Sequence, residues 1–194
     1  MKKKQISAIA VIAMCLAILA SGTIAYFTAE DQVHNIITSG GVDIAIEEWQ
    51  EVEGELVPYP ENPQETMPGN EVSKIVTVKN LDAESYIRAR IEVVVKLADG
   101  TVITDPAVLA SAIVVEVEDG KWLQKEGDTV WYYYADPVAE GASTDALISE
   151  VIFSGSDMGN MFQNCEVSVT VYAQAVQVAN NGASTLEAAG WPAA

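Results

Sequence analysis

The sequence predicts an all-β fold, an antiparallel β-sandwich of jelly-roll type. Apolar and polar residues alternate in segment after segment, most regularly from Ile87 to Leu97, and this period of two is typical of strands with one buried face. Turn residues such as Asp99-Gly100 and Asp119-Gly120 separate the segments. About eight short strands of this kind within one domain's length of chain favour two packed sheets.

The expected strands follow one another from residue 42 to residue 175. They cover residues 42–49, 72–80, 87–97, 113–117, 122–123, 130–134, 147–153 and 167–175. A stretch with four prolines, residues 51–70, is expected to be an irregular exposed connection. Asp105 and Pro106 suit the N-cap and first position of a short helix near residues 106–112, although a turn uses the same residues.

The first 25 residues have the order of an export signal. Three lysines, residues 2–4, precede an apolar run from Ile6 to Ala20, and small residues follow. This run is shorter than the about 20 residues of a spanning helix. The sequence therefore predicts a signal-peptide helix cleaved after Ala25, with Thr23 and Ala25 as the small residues that the peptidase reads, and a secreted product. The alternative is an uncleaved signal, which would be the chain's only contact with the membrane.

The residues around this site resemble a known family. Gly22-Thr23-Ile24-Ala25-Tyr26-Phe27 is followed by Asn35-Ile36-Ile37 and then by Gly40-Gly41-Val42-Asp43-Ile44. This order is similar to the N-terminus of the TasA/camelysin family, whose signal peptides are processed by a SipW-type signal peptidase. Looser family landmarks lie at residues 86–88, 131–134 and 173–177.

The resemblance carries expectations about fold and function. It implies a jelly-roll β-sandwich, export by a Gram-positive-type bacterium, and a place in the extracellular matrix or at the cell surface. TasA-like proteins are structural components of biofilm matrix that polymerise into fibres, so the expected partners are further copies of this chain and other matrix proteins. Camelysin-like members have been classed as metallopeptidases, which raises the question of a zinc site.

The charge balance limits the partners. Beyond the signal the chain keeps seven basic residues against 28 acidic ones. A surface with this excess repels nucleic acid and anionic lipid, so neither is expected as a partner. It also makes association between copies sensitive to salt, because screening lets like-charged subunits approach.

The sequence gives no indication of catalysis or of a cofactor. A zinc protease holds its metal with about three side chains, yet His34 is the only histidine and no H-E-x-x-H helix occurs. We therefore expect no catalytic, cofactor-binding or metal-binding residues. Cys165 is the only cysteine beyond the signal, and it is read either as a small buried residue or as a free thiol able to bridge two copies.

The aromatic group of residues 122 and 131–134 allows two interpretations. In a strand, Trp131 and Tyr133 would face one way and Tyr132 and Tyr134 the other. One set would then fill the core and the other would shield an edge. The alternative is a carbohydrate platform or a subunit interface.

These observations divide the chain into four parts: a signal peptide at 1–25, an extended segment at 26–41, a sandwich domain at 42–180 and a C-terminal tail at 181–194. The extended segment is a candidate donor strand for a neighbouring copy, with Phe27, Val33, Ile36 and Ile37 as candidate interface residues. The predicted function is a non-enzymatic matrix protein that assembles by strand addition. The alternatives are an ordinary first strand packed on its own domain, an exported monomeric binding module, and a camelysin-type metalloprotease.

Overall fold

The computed structural model describes residues 42–60, 66–155 and 158–192. The predicted signal peptide, the cleavage residues Thr23 and Ala25, and the interface candidates Phe27, Val33, Ile36 and Ile37 lie outside the described residues. Among the residues that are described, no helix is long and apolar enough to cross a membrane.

Ten strands and two short helical turns make up the described chain. The strands are β1 (Ile44–Val52), β2 (Glu55–Pro58), β3 (Glu71–Asn80), β4 (Ser85–Lys96), β5 (Val102–Ile103), β6 (Ile113–Val117), β7 (Trp122–Lys125), β8 (Asp128–Tyr134), β9 (Ile148–Phe153) and β10 (Glu166–Gln177). Helix α1 spans Pro106–Leu109, and a 3₁₀ turn spans Asn160–Phe162. The all-β class predicted from alternation is confirmed.

The strands form two antiparallel sheets. The first sheet has the order β2-β1-β3-β9-β6, and the second has the order β10-β4-β8-β7 with β5 added to the end of β4. The longest pairing joins β10 to β4 without a register shift, from Glu166 opposite Lys96 to Gln177 opposite Ser85. β10 is therefore the outermost strand of the second sheet in the described chain.

The apolar stripes of the two sheets meet in a shared core. Val76 and Val78 of the first sheet pack with Ile87 and Ala89 of the second, and all four are fully buried. A second cluster, around Val95, lies under helix α1 and the 3₁₀ turn. Burial of these branched side chains on facing sheets is the main term that stabilises such a fold.

Asn80 is the polar exception in this core. Its side chain is fully buried, and the Nδ2 group donates to the carbonyls of Ala83 (2.9 Å) and Val138 (2.8 Å). Its Oδ1 atom accepts from the backbone N–H of Asp82. One amide thus joins the end of β3 to the loop that follows β8, because a buried polar group must find partners within the protein.

Most predicted elements are confirmed within a few residues. Helix α1 begins as expected, because the Asp105 side chain accepts from the Ala107 N–H at 2.9 Å and Pro106 follows it. The prediction that residues 51–70 form an irregular connection is wrong at its start, where β1 and β2 make a hairpin. Glu53 and Gly54 at its tip both have positive φ, 55° and 87°, the geometry of a tight hairpin turn.

Candidate functional site

The outer edge of β10 is the least protected sheet edge in the described chain. β10 is twelve residues long, and after Glu166 it has eleven consecutive residues without a charge, a proline or a glycine. Native proteins usually protect long edge strands with charges, prolines or bulges, because an unpaired row of N–H and C=O groups recruits further strands. A further strand can therefore pair with this edge.

The other edge strands, β2, β6 and β7, have features that hinder pairing with a further strand. β2 has four residues and ends at Pro58, β6 has five residues and contains Glu116, and β7 has four residues and ends at Lys125. Short length and charge each reduce the number of backbone groups that a second chain can pair with. The contrast identifies β10 as the candidate acceptor edge.

The core beside this edge is partly open. Val167 and Val169 point toward the core, yet both are only half-buried, whereas Val171 further along the same strand is buried. β1 contacts β10 across the gap between the sheets, and β2 covers β1 only from Trp49 onward. Val42, at which the described chain begins, is buried in the core.

An ion pair closes the core on the β1 side. Glu48 lies opposite Val76 in the β1–β3 register and therefore shares its core-facing side. The Lys74 Nζ atom lies 2.8 Å from Glu48 Oε2 and 4.1 Å from the centroid of the Tyr59 ring. The Lys74 side chain is 8 % exposed and that of Glu48 is 21 % exposed. Burial, together with the charge of Glu48, raises the pKa of Tyr59.

The aromatic residues of β8 alternate as predicted. Tyr134 is part of the shared core, where its ring centroid lies 5.1 Å from that of Trp122, and Tyr132 packs against the same cluster. Trp131 and Tyr133 lie on the opposite, outer face of the second sheet and are also buried. The chain after β10 covers them.

Arg88 is the centre of that outer face. Its guanidinium lies 4.2 Å from the Trp131 ring centroid and 4.8 Å from that of Trp191, so two indoles enclose it. Nε and one terminal nitrogen donate to the Gln174 side-chain oxygen at 3.0 and 2.7 Å, and the other terminal nitrogen donates to the Tyr133 hydroxyl at 3.2 Å. Stacking and hydrogen bonds together satisfy a buried cation.

The Tyr133 hydroxyl connects the carboxylate of Asp128 to Arg88. The Tyr133 hydroxyl donates to Asp128 Oδ2 at 2.9 Å. Desolvation alone would raise the pKa of Asp128, but hydrogen bonds from Tyr133 and from the N–H groups of Val130 and Trp131, with the charge of Arg88, lower it. Desolvation is the largest cause of the raised pKa of Tyr133. The carboxylate, phenol and guanidinium therefore form one connected network.

The outer face of the first sheet is acidic. Glu116 and Glu150 are directly opposite each other on β6 and β9, and Glu71 lies on the neighbouring strand. Desolvation, followed by the charges of Glu71, Glu116 and Glu118, raises the pKa of Glu150. Like charges placed opposite each other in a sheet repel, so this face is destabilised at neutral pH.

In the described ranges, no three histidine, cysteine, aspartate or glutamate side chains converge as metal ligands. His34 lies outside these ranges. Cys165 is a half-buried free thiol packed against the second core cluster, and burial raises its pKa. A comparison with protein-family models, curated proteins and solved structures finds no match for this chain.

Sequence reasoning missed the two features that the structure makes most prominent. The acceptor edge had a visible signal, the uncharged run in β10, but only the pairing order shows that this strand lies at an edge. The burial of Arg88 had none, because Arg88 alternates with apolar residues as exposed charges do. Lys74 lies in step with the core residues Val76 and Val78, but its neighbours in the sequence do not indicate an ion-pair partner. Their partners are distant in the sequence.

Proposed function

We propose that this chain is an exported structural protein of the extracellular or biofilm matrix, of the TasA kind, whose copies join into fibres by strand addition. The observation that supports the proposal is the twelve-residue edge of β10, which is outermost among the described strands and carries no charge after Glu166. The proposed fold is a jelly-roll β-sandwich, and the proposed donor is the segment released by cleavage after Ala25.

The donor and the acceptor match in length and pattern. Residues 27–38 are twelve in number, as is β10, so one extended segment can pair along the whole edge. Val33 and Ile37 alternate on one side of the segment, and the half-buried Val167 and Val169 provide apolar surface for such side chains. Each subunit has one donor and one acceptor, so pairing between copies leaves a free acceptor at one end of the assembly and a free donor at the other, which gives an open polymer.

The runner-up function is an exported monomeric binding module. It is favoured by the same observation, because residues 27–38 can pair with β10 of their own chain. The edge would then be covered within one molecule, and function would rest on another surface. The two proposals differ in assembly state, which the following experiment measures.

The experiment compares the mature chain with Ile37→Asp, Thr38→Asp and a deletion of residues 27–38. A neutral polar group without a hydrogen bond in an apolar groove costs about 2–7 kcal/mol, and an unpaired carboxylate costs more. We expect Ile37→Asp and the deletion to give folded monomers by gel filtration and no fibres by negative-stain microscopy. Thr38→Asp, on the other face of the segment, should still form fibres.

Two results would contradict the proposal. Normal fibres from the deletion variant would mean that growth uses another surface. If the deletion variant unfolds and the wild-type chain stays monomeric, residues 27–38 pack on the domain of their own chain. That result would favour the binding module.

A further inference from the structure

The chain after β10 forms a strap, residues 178–192, over the outer face of the second sheet. Three side chains of the sheet donate hydrogen bonds to strap carbonyls: the Tyr86 hydroxyl to Gly182 (3.0 Å), Lys125 Nζ to Leu186 (2.7 Å), and Arg88 to Pro192 (3.3 Å). The donors come from β4 and β7, so the strap crosses the sheet. The strap itself runs through bends and turns, where the Glu187 N–H donates to the Ser184 carbonyl, so these contacts hold the backbone of a folded segment against the sheet.

Two apolar anchors fix the strap. Trp191 stacks on Arg88, and its ring meets that of Tyr133 edge-on at 5.8 Å. Ala188 is buried in a separate small cluster with Tyr86 and Val176, outside the main core. Backbone hydrogen bonds combined with pockets for a few side chains are the usual means by which proteins dock peptides. The outer face of the second sheet is therefore a peptide groove, and the strap occupies it.

A short hinge connects the groove to its occupant. The Val178 N–H still donates to the Glu84 carbonyl beside β4, and the Asn181 N–H then donates back to the Val178 carbonyl. Asn180, between them, has φ of 60°, a left-handed conformation that few residues adopt. The reversal of the chain thus depends on a turn of four residues.

We propose that the groove also binds the strap of a second copy of this chain, so that two molecules can exchange their C-terminal straps. The hydrogen bonds and ring contacts described above join the strap to β4, β7 and β8. They form equally well when the strap belongs to a neighbour, because only the hinge must open. This contact is separate from strand addition at β10 and would link copies side by side.

In the closed form each strap binds the groove of its own chain, and in the exchanged form it binds that of a second copy. The effective concentration of the tethered strap determines which form is more stable. A short flexible connection holds a tethered segment at about 1 mM. At about 10 µM protein, a strap from another copy therefore competes at roughly a hundredfold disadvantage. The exchanged form becomes favourable when molecules are crowded to millimolar local concentration, or when the hinge cannot turn back.

The test compares Asn180→Pro with Asn180→Gly in full mature chains that also carry Ile37→Asp, so that strand donation is switched off. Proline is fixed near φ −65° and cannot adopt the turn, whereas glycine adopts positive φ readily. We expect the proline variant to raise the dimer fraction at about 10 µM at least about tenfold, measured by light scattering after gel filtration. The glycine variant should remain as monomeric as its parent. A folded, monomeric proline variant would overturn the proposal.

A mixing experiment decides the question if the proline variant does not fold. Arg88→Met impairs the groove but keeps the strap, and Trp191→Ala impairs the strap but keeps the groove. Both chains again carry Ile37→Asp. Exchange predicts that a mixture of the two full chains forms mixed dimers at about 100 µM, while each chain alone stays at least about tenfold less associated. Equal association of the mixture and of the separate chains means that the groove accepts only its own strap.

Discussion

Variants of the Lys74–Glu48 pair test whether it contributes to stability as a buried ion pair or as a surface one. At 2.8 Å the gross attraction is about 6 kcal/mol with an effective dielectric constant of about 20. Desolvation offsets most of it, but removing one partner leaves the other charge buried, which costs about 3–5 kcal/mol in fully buried pairs. Because Glu48 remains 21 % exposed and Lys74 only 8 %, we expect Glu48→Gln to cost about 3 kcal/mol and Lys74→Met about 2 kcal/mol.

Urea unfolding followed by circular dichroism measures these values. For a chain of this size the single variants should melt about 5–10 °C below the wild type. The double variant Lys74→Met/Glu48→Leu should return to within about 1 kcal/mol of it, because an apolar pair removes both desolvation penalties. Losses of about 0.5 kcal/mol or less in both single variants, the range of exposed pairs, would refute the assigned burial.

Two further variants test other parts of the structure. Asn80→Ala should cost about 2–3 kcal/mol through its lost hydrogen bonds. Asn80→Asp should cost more at pH 7 despite its matching shape, because the oxygen that replaces Nδ2 faces the carbonyls of Ala83 and Val138. Urea unfolding that finds the aspartate variant no less stable than the alanine variant would be inconsistent with this network. Glu150 has a raised pKa, so the folded state binds its proton more tightly than the unfolded state does, and stability falls as the pH rises above about 4.5. Glu150→Gln should therefore raise the urea midpoint at pH 7 and match the wild type at pH 4. The control Glu55→Gln, on the β1–β2 hairpin, should leave the urea midpoint unchanged at both pH values. A gain from Glu150→Gln that persists at pH 4 would point to a cause other than charge.

The strands were predictable because their cause is local. A sheet with one apolar face imposes a period of two on its own segment, and the sequence of β4 shows this from Ile87 to Val93. The same holds for α1, whose start depends on the adjacent residues Asp105 and Pro106. The β1–β2 hairpin was missed because Glu53-Gly54 replaces the Asn-Gly or Asp-Gly pair that usually marks such a turn.

The functional surfaces were harder to predict because their cause is distant in the sequence. No residue of β10 indicates that it lies at the edge of a sheet, since that depends on which strands pair beside it. The strap has no periodicity, because donors on β4 and β7 hold its backbone and only a few of its side chains, such as Trp191, are anchored. Arg88 alternates with apolar residues like any exposed charge, and the indoles of Trp131 and Trp191 that enclose it are both distant in the sequence.

The position of β10 also determines when the protein can fold. This last strand completes the second sheet by pairing with β4, near the middle of the chain, and its Val171 and Ala173 complete the shared core. Such distant contacts make folding slow, because a long loop must close before they form. A chain that is still being synthesised or translocated therefore lacks its final strand and cannot close its core. Closure of the shared core therefore waits until β10 is available to pair with β4.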